Sequence, residues 1–224
     1  MKEKMKDSGI PWIGQIPEDW EVCKVKNFFI YKKRIVGDDA ENWQRLALTL
    51  NGVIKRSKDD SEGLQPEKFE GYQILMQNEL VFKLIDLNNI QTSRVGLSNY
   101  DGIVSPAYII LSPQNISVLF SYYYFISLYY RNIFNTLGDD GVRSSLNSLD
   151  LLNLKIVVPP QEIQQKIVEI LDKKCGQIDE LVSLEENEIE KLKEYKTSLI
   201  TKVVTKGLDP NAKMKDSGIP WIGQ

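Results

Sequence analysis

The sequence predicts an α+β fold: one globular domain with a curved, partly closed β-sheet and packed helices, then a long C-terminal coiled-coil helix. Three observations carry it. Short apolar runs separated by turn residues fill most of residues 16–158. One uncharged, aromatic-rich stretch, Ile116–Thr136, interrupts them and suits a helix buried against a sheet. From Gln161 to Lys206 apolar residues return every seventh place with no internal proline. The expected division is a domain over residues 1–158, a helix over 159–206 and a tail over 207–224.

The elements follow in chain order. Trp20, Val22 and Val25 alternate loosely, and Phe28-Phe29-Ile30 lead into the basic Lys32-Lys33-Arg34. Leu46–Leu50, Asn51-Gly52 and Val53-Ile54 predict a hairpin, because Asn-Gly supplies the positive φ angles of a tight turn. Tyr72–Ile85 and Ser93–Leu111 hold further strand-like runs, the second interrupted at Asp101-Gly102. Phe120, Tyr122, Tyr123, Tyr124, Phe125, Tyr129, Tyr130 and Phe134 crowd the aromatic helix; core packing explains them better than a stacking platform for bases. Leu151–Val158 is expected as a last strand before Pro159-Pro160.

Proline before Gln161 and glycine at 207 mark both ends of the long helix. Its length corresponds to about 70 Å at the rise of an α-helix. Val168, Cys175, Val182, Ile189 and Val203 share one heptad position; Leu171, Ile178, Leu192 and Leu199 share the other. Glu185 and Lys196 alone break this seam. An apolar stripe of that length does not stay exposed, so these nine residues are expected to form a dimer interface. A helix folded back onto its own domain is the competing arrangement.

Lys4–Gln15, KMKDSGIPWIGQ, recurs letter for letter as Lys213–Gln224. The arrangement reads as one segment–domain–helix unit followed by the first letters of the next.

Composition narrows the chemistry. The 224 residues carry a net charge of −3, so nucleic-acid binding requires a local basic patch rather than bulk charge. There is no histidine, which removes histidine-based triads and metal sites. The two cysteines, Cys23 and Cys175, make neither a disulfide framework nor a metal cluster and fit a reducing, cytoplasmic setting. The uncharged run Gly102–Tyr130 is broken by Pro106, Pro113 and several serines, so no membrane span is expected. Ser105-Pro106-Ala107-Tyr108 resembles an amino-methyltransferase motif but lacks its second proline, and no glycine-rich cofactor loop precedes it. No catalytic residue, metal site or cofactor is therefore assigned; the acidic pairs Asp38-Asp39, Asp59-Asp60 and Asp139-Asp140 read as solvated loops.

The local basic spots are Lys32, Lys33 and Arg34; Lys55, Arg56 and Lys58; Arg94; and Arg143 with Ser144 and Ser145. All fall on predicted loops or turns, where cations beside small hydroxyls suit phosphate and base-edge contacts.

With these residues in view, the chain resembles the specificity subunits of type I restriction–modification systems. The resemblance rests on Asp7–Gly14 with Ile16–Val22, on Gly141–Leu146 leading through Leu154–Val158 to Pro159–Ile167, and on Lys193–Ile200 within the long helix. It implies that residues 1–158 form a target recognition domain with a conserved opening segment, 4–22, and that 159–206 form a conserved spacer helix. It further implies double-stranded DNA and methyltransferase subunits as partners, with restriction subunits left open. Family members carry two recognition domains and two antiparallel helices; this chain has one of each and resembles a half-length subunit. Two copies paired through the seam restore the full plan and read a split, palindromic site. A coiled-coil adaptor with no DNA contact is the competing reading.

Overall fold

Apolar runs of three to five residues, cut by glycine, asparagine and proline, make short strands. In the computed structural model, which describes residues 4–59, 68–85, 87, 94–137, 145–209, 211–221 and 223, there are twelve strands and four α-helices among those residues. They divide into two compact units, Met1–Glu169 and Ile170–Gln224. The division falls inside the long helix rather than at Pro159.

The strands of the first unit are β1 (Met5–Asp7), β2 (Gln15–Pro17), β3 (Glu21–Lys24), β4 (Phe29–Tyr31), β5 (Leu46–Thr49) and β6 (Gly52–Lys55), then β7 (Gln73–Leu75), β8 (Leu80–Phe82), β9 (Val95–Leu97), β10 (Gly102–Val104), β11 (Ile109–Pro113) and β12 (Lys155–Val158). The central sheet has the order β4-β11-β8-β9 and is antiparallel throughout. Four antiparallel pairs complete the set: β1-β2, β3-β12, β5-β6 and β7-β10. Isolated bridges at Ile35–Gln73 and Arg45–Ile103 stitch neighbouring pairs together, giving the partly closed sheet the sequence predicts.

The period of two decides which side chain enters which core. In β8, Leu80 and Phe82 join one cluster and Val81 another; in β11, Ile109 and Leu111 join the first and Ile110 the second. Both faces of the central strands are thus buried. Closure depends on close approach at Gly96 of β9. A β-carbon there would lie 2.5 Å from Leu48 Cδ1 and 2.8 Å from Val53 Cγ2, so only glycine lets the β5–β6 hairpin press onto the sheet.

The hairpin forms as expected, with one difference. Gly52 alone takes a positive φ, +83°, and Asn51 does not. Thr49 Oγ1 accepts from the Asn51 N–H at 3.1 Å and donates to Gly52 O at 3.0 Å, closing the turn from the side.

The aromatic stretch forms α1 (Val118–Tyr130) and α2 (Ile133–Thr136) rather than one helix. Ser117 caps α1 by accepting from the Phe120 N–H at 3.2 Å. Asn132, at φ +55°, breaks the run. Phe125 anchors α1 to the sheet with edge-on contacts to Phe29 and Phe82, at centroid distances of 5.7 and 5.0 Å. The expected strand over Leu151–Val158 is corrected. Asn147 and Asp150 form a reciprocal capping box that holds Ser148–Asn153 as α3, so the strand, β12, starts only at Lys155.

The long helix, α4, spans Gln161–Lys206. Its start is tied down by Gln164, which is buried, donates to Pro159 O at 2.8 Å and accepts from the Ser117 N–H at 3.0 Å. Val168 is 8% exposed and belongs to the first unit. That corrects its expected place in a dimer seam, because its side chain is already used within the domain. Leu171 and Cys175 are half-buried, and every later seam residue is exposed. Gly207, at φ +76°, ends the helix, its N–H bonded to Val203 O.

The turn within the repeated segment closes the same way twice, although Met5–Asp7 is a strand and Met214–Asp216 is not. Ser8 N–H donates to Gly14 O at 2.9 Å and Gly14 N–H to Ile10 O at 3.1 Å; the matching bonds from Ser217 to Gly223 and from Gly223 to Ile219 measure 3.0 and 3.2 Å. Asp7 and Asp216 each accept from the backbone N–H two residues on. Burial separates the copies: Ile10 is 2% exposed and packs with Ile16 and Val157, whereas its counterpart Ile219 is 39% exposed.

Candidate nucleic-acid interface

Sheet closure gathers cations that lie far apart in sequence. Arg45 precedes β5, Arg56 follows β6 and Lys83 follows β8, and all three line one concavity of about 650 Å³. Tyr72, Tyr108, Ser105, Thr49 and Asn51 share its wall. A second concavity of about 630 Å³ adjoins it, sharing Tyr108 and Ile85 and adding Tyr31, Ser145 and Asn147.

The fold fixes these groups individually. Arg45 is almost wholly buried; its Nη1 donates to Ser57 O at 3.0 Å and its guanidinium lies over Phe69, 5.5 Å from the ring centroid. Arg56 N–H donates to Arg45 O at 2.9 Å, extending the hairpin ladder and setting where the Arg56 side chain leaves the backbone. The loop Ser105–Tyr108 closes through Tyr108 N–H to Ser105 O at 3.2 Å. Gln73, buried in β7, clamps the loop from below, its Nε2 donating to Ser105 O at 3.1 Å and to Tyr108 O at 2.8 Å.

Burial moves both phenols further from ionisation. Burial raises the Tyr108 pKa, the Tyr72 phenol adds to the rise, and Arg56 and Arg45 oppose it. Burial likewise raises Tyr72, against Arg45. The concave face presents two phenol hydroxyls beside Arg56 and Lys83, with Arg45 almost wholly buried in its wall. That is the chemistry of phosphate neutralisation with adjacent hydrogen-bonding groups for base edges.

The residues singled out from sequence scatter. Arg56 and Ser145 line the two concavities. Lys32 and Lys33 are exposed just past β4. Lys55 stands over the Tyr100 ring, 4.6 Å from its centroid. Arg34 is drawn into an ion pair with Glu79 and donates to Ile74 O at 3.2 Å. Lys58 Nζ caps the carbonyls of Ala40 and Glu41 at 2.8 and 2.7 Å. The expected surface placement of Arg94 is corrected: it is 2% exposed, and its Nη2 donates to Leu87 O at 2.8 Å, so its charge serves the interior. Arg143 and Ser144 lie outside the described residues, as do Asp60, Asp139 and Asp140. Sequence reasoning missed Arg45, Lys83, Tyr72 and Tyr108 as members of this face.

Among the described residues no group of three or more cysteine or acidic side chains is placed to hold a metal ion, and no helix is long and apolar enough to cross a membrane.

Comparison with known proteins places this architecture. The chain is 26% identical over 216 residues to the type I restriction enzyme MjaVIII specificity subunit of Methanocaldococcus jannaschii, which covers 93% of this chain and 47% of that protein. It spans about half the length of the curated relatives it matches. A chain from a structure of a type I R-M system, solved for its complex assembly and conformational transition, superposes with a TM-score of 0.58 at 16% identity, over 89% of this chain and 49% of that one. The crystal structure of the HsdS subunit from Thermoanaerobacter tengcongensis gives 0.52 at 16% identity, over 91% and 48%. These two likenesses show the fold. The family model described as the type I restriction modification DNA specificity domain matches residues 17–194. The chain belongs to that family of type I restriction–modification specificity domains.

Proposed function

We propose that the chain is the DNA sequence-recognition component of a cytoplasmic type I restriction–modification complex, itself non-catalytic. The observation that carries this is the match of residues 17–194 to the specificity-domain family. The unit Met1–Glu169 acts as a target recognition domain. Its concave face around Arg45, Arg56, Lys83 and Tyr108 is the surface set against DNA: cations hold the phosphates, and the phenols with Thr49 and Asn51 meet base edges. Methyltransferase subunits act on the site so selected.

One such domain reads one half of a split site. Two copies, paired head to tail along the exposed ridge of α4, supply two identical readers. A two-fold assembly reads a palindromic split sequence, since the symmetry of the protein is mirrored in its site. The same ridge also suits an adaptor without DNA contact, but membership of the specificity-domain family favours recognition.

The test is a methylation map of cells expressing this chain with its modification partner. The expected result is one split palindrome, methylated on both strands. No new methylation, or an asymmetric split site from this chain alone, overturns the reading.

A further inference from the structure

The exposed ridge of α4 carries two polar interruptions, and their charges select one way of covering it. Ile178, Val182, Ile189, Leu192, Leu199 and Val203 are each more than a third exposed. Glu185 and Lys196 interrupt them and are exposed too. Among the described residues, neither forms an ion pair within the chain. Lys196 stands at the heptad position of Val182, Ile189 and Val203; Glu185 stands at the position of Ile178, Leu192 and Leu199.

The two ways of packing a second copy treat these charges oppositely. In a parallel pair like positions meet, so Lys196 faces Lys196 and Glu185 faces Glu185 inside an apolar seam. In an antiparallel pair the two positions meet crosswise, and unlike charges become available to each other. We propose that a second copy of this chain covers the ridge head to tail, in the one register that sets Glu185 against Lys196 of the second copy. The pairing rests on the dimer reading above and adds its register.

That register satisfies the remaining levels without adjustment. It sets Val182 against Leu199, Ile189 against Leu192 and Ile178 against Val203, so between Ile178 and Val203 every other level is apolar on both sides, and Cys175 meets Lys206 only at the helix end. On the flank it brings Glu186 beside Lys193 of the second copy. A slip of one heptad in one direction sets Glu185 against Ile189 and Lys196 against Ile178. The opposite slip sets them against Val203 and Leu192. Either slip leaves lone charges against aliphatic side chains, which is strongly unfavourable. The register also leaves Val168 to its own domain, where the structure already uses it.

The two-fold axis then passes between Glu190 and Lys191. Helical rise puts the two Glu169 residues about 65 Å apart along the helix direction. A one-heptad slip changes the separation by about 10.5 Å, or about 3 base pairs of B-DNA. The charge pair thereby sets the separation of the two Glu169 positions along the paired helices.

Charge reversal in the full chain tests the register, with the dimer dissociation constant read by sedimentation equilibrium at low salt and without DNA. Glu185→Lys and Lys196→Glu each set like charges face to face and are expected to raise it about 10- to 100-fold. The double reversal Glu185→Lys/Lys196→Glu restores unlike pairs and is expected within about 3-fold of wild type. Circular dichroism checks that all three keep their helix content. Single variants with unchanged association, or a double variant no tighter than the singles, overturn the register. If the wild type dimerises and methylates a palindrome while the double variant is not rescued, only the register falls. A wild type that stays monomeric at high concentration removes the pairing as well.

Discussion

Replacing Gly96 with alanine tests how the sheet closes. The new methyl would sit 2.5 Å from Leu48 Cδ1, 2.8 Å from Val53 Cγ2 and 3.3 Å from Val81 Cγ1. All three neighbours are buried, so their side chains have little room to withdraw. Forcing a methyl into a filled core costs about 1–3 kcal/mol. Gly96 is not among the glycines with a positive φ, so alanine brings no backbone strain and regains about 0.4–1 kcal/mol through the unfolded chain. The balance is a loss of about 1–2 kcal/mol, or a fall in Tm of about 3–6 °C for a unit of this size. Scanning calorimetry and urea unfolding read it. Leu48→Ala removes the nearest clashing atom, so the double variant Gly96→Ala/Leu48→Ala should be about 1 kcal/mol more stable than the sum of the singles predicts. A Gly96→Ala protein as stable as wild type, or strict additivity in the pair, refutes the close-approach account.

Three further outcomes are expected. Arg56→Ala and Lys83→Ala should each weaken DNA binding and reduce the slope of log affinity against log salt by about 1, read by fluorescence anisotropy; unchanged slopes would remove the concave face from the interface. Glu79→Gln should cost about 1–3 kcal/mol in urea unfolding, because it leaves the partly exposed Arg34 without its counter-charge where Ser112 and Met76 N–H also converge on the Glu79 carboxylate. Tyr124 is pushed up to about 12, chiefly by burial, with Val157 N–H and Arg131 opposing. Its folded pKa exceeds the unfolded value, so the unfolded chain releases the proton first. Stability should be full below pH 10 and fall by about 2–3 kcal/mol as pH rises towards 12; Tyr124→Phe should flatten that part of the profile.

Local chemistry made much of this fold legible. The β5–β6 hairpin, the aromatic helix and α4 each carry a periodic pattern with marked ends, and all three form. Asn147 and Asp150 spelled a capping box, yet the apolar run after them reads equally well as strand, so α3 was hidden. The interface was less legible because it is a product of closure. Arg45, Lys83 and Tyr108 lie in three separate segments, and nothing local to any one of them announces the others. Arg94 and Arg56 look alike in sequence; only the tertiary path puts one inside and leaves the other on a concave wall. Val168 matched its heptad as well as Val182 did, and what separates them is how far along α4 the domain reaches.

The turn that follows the aspartate keeps the same backbone hydrogen bonds in both copies of the repeat, whether its isoleucine is seated or half bare. The form of that turn is therefore written in its own aspartate, serine and glycines. A receiving surface gains a ready-made insert, already ordered before it arrives, and need supply only apolar contact, because little freedom remains to be lost on docking.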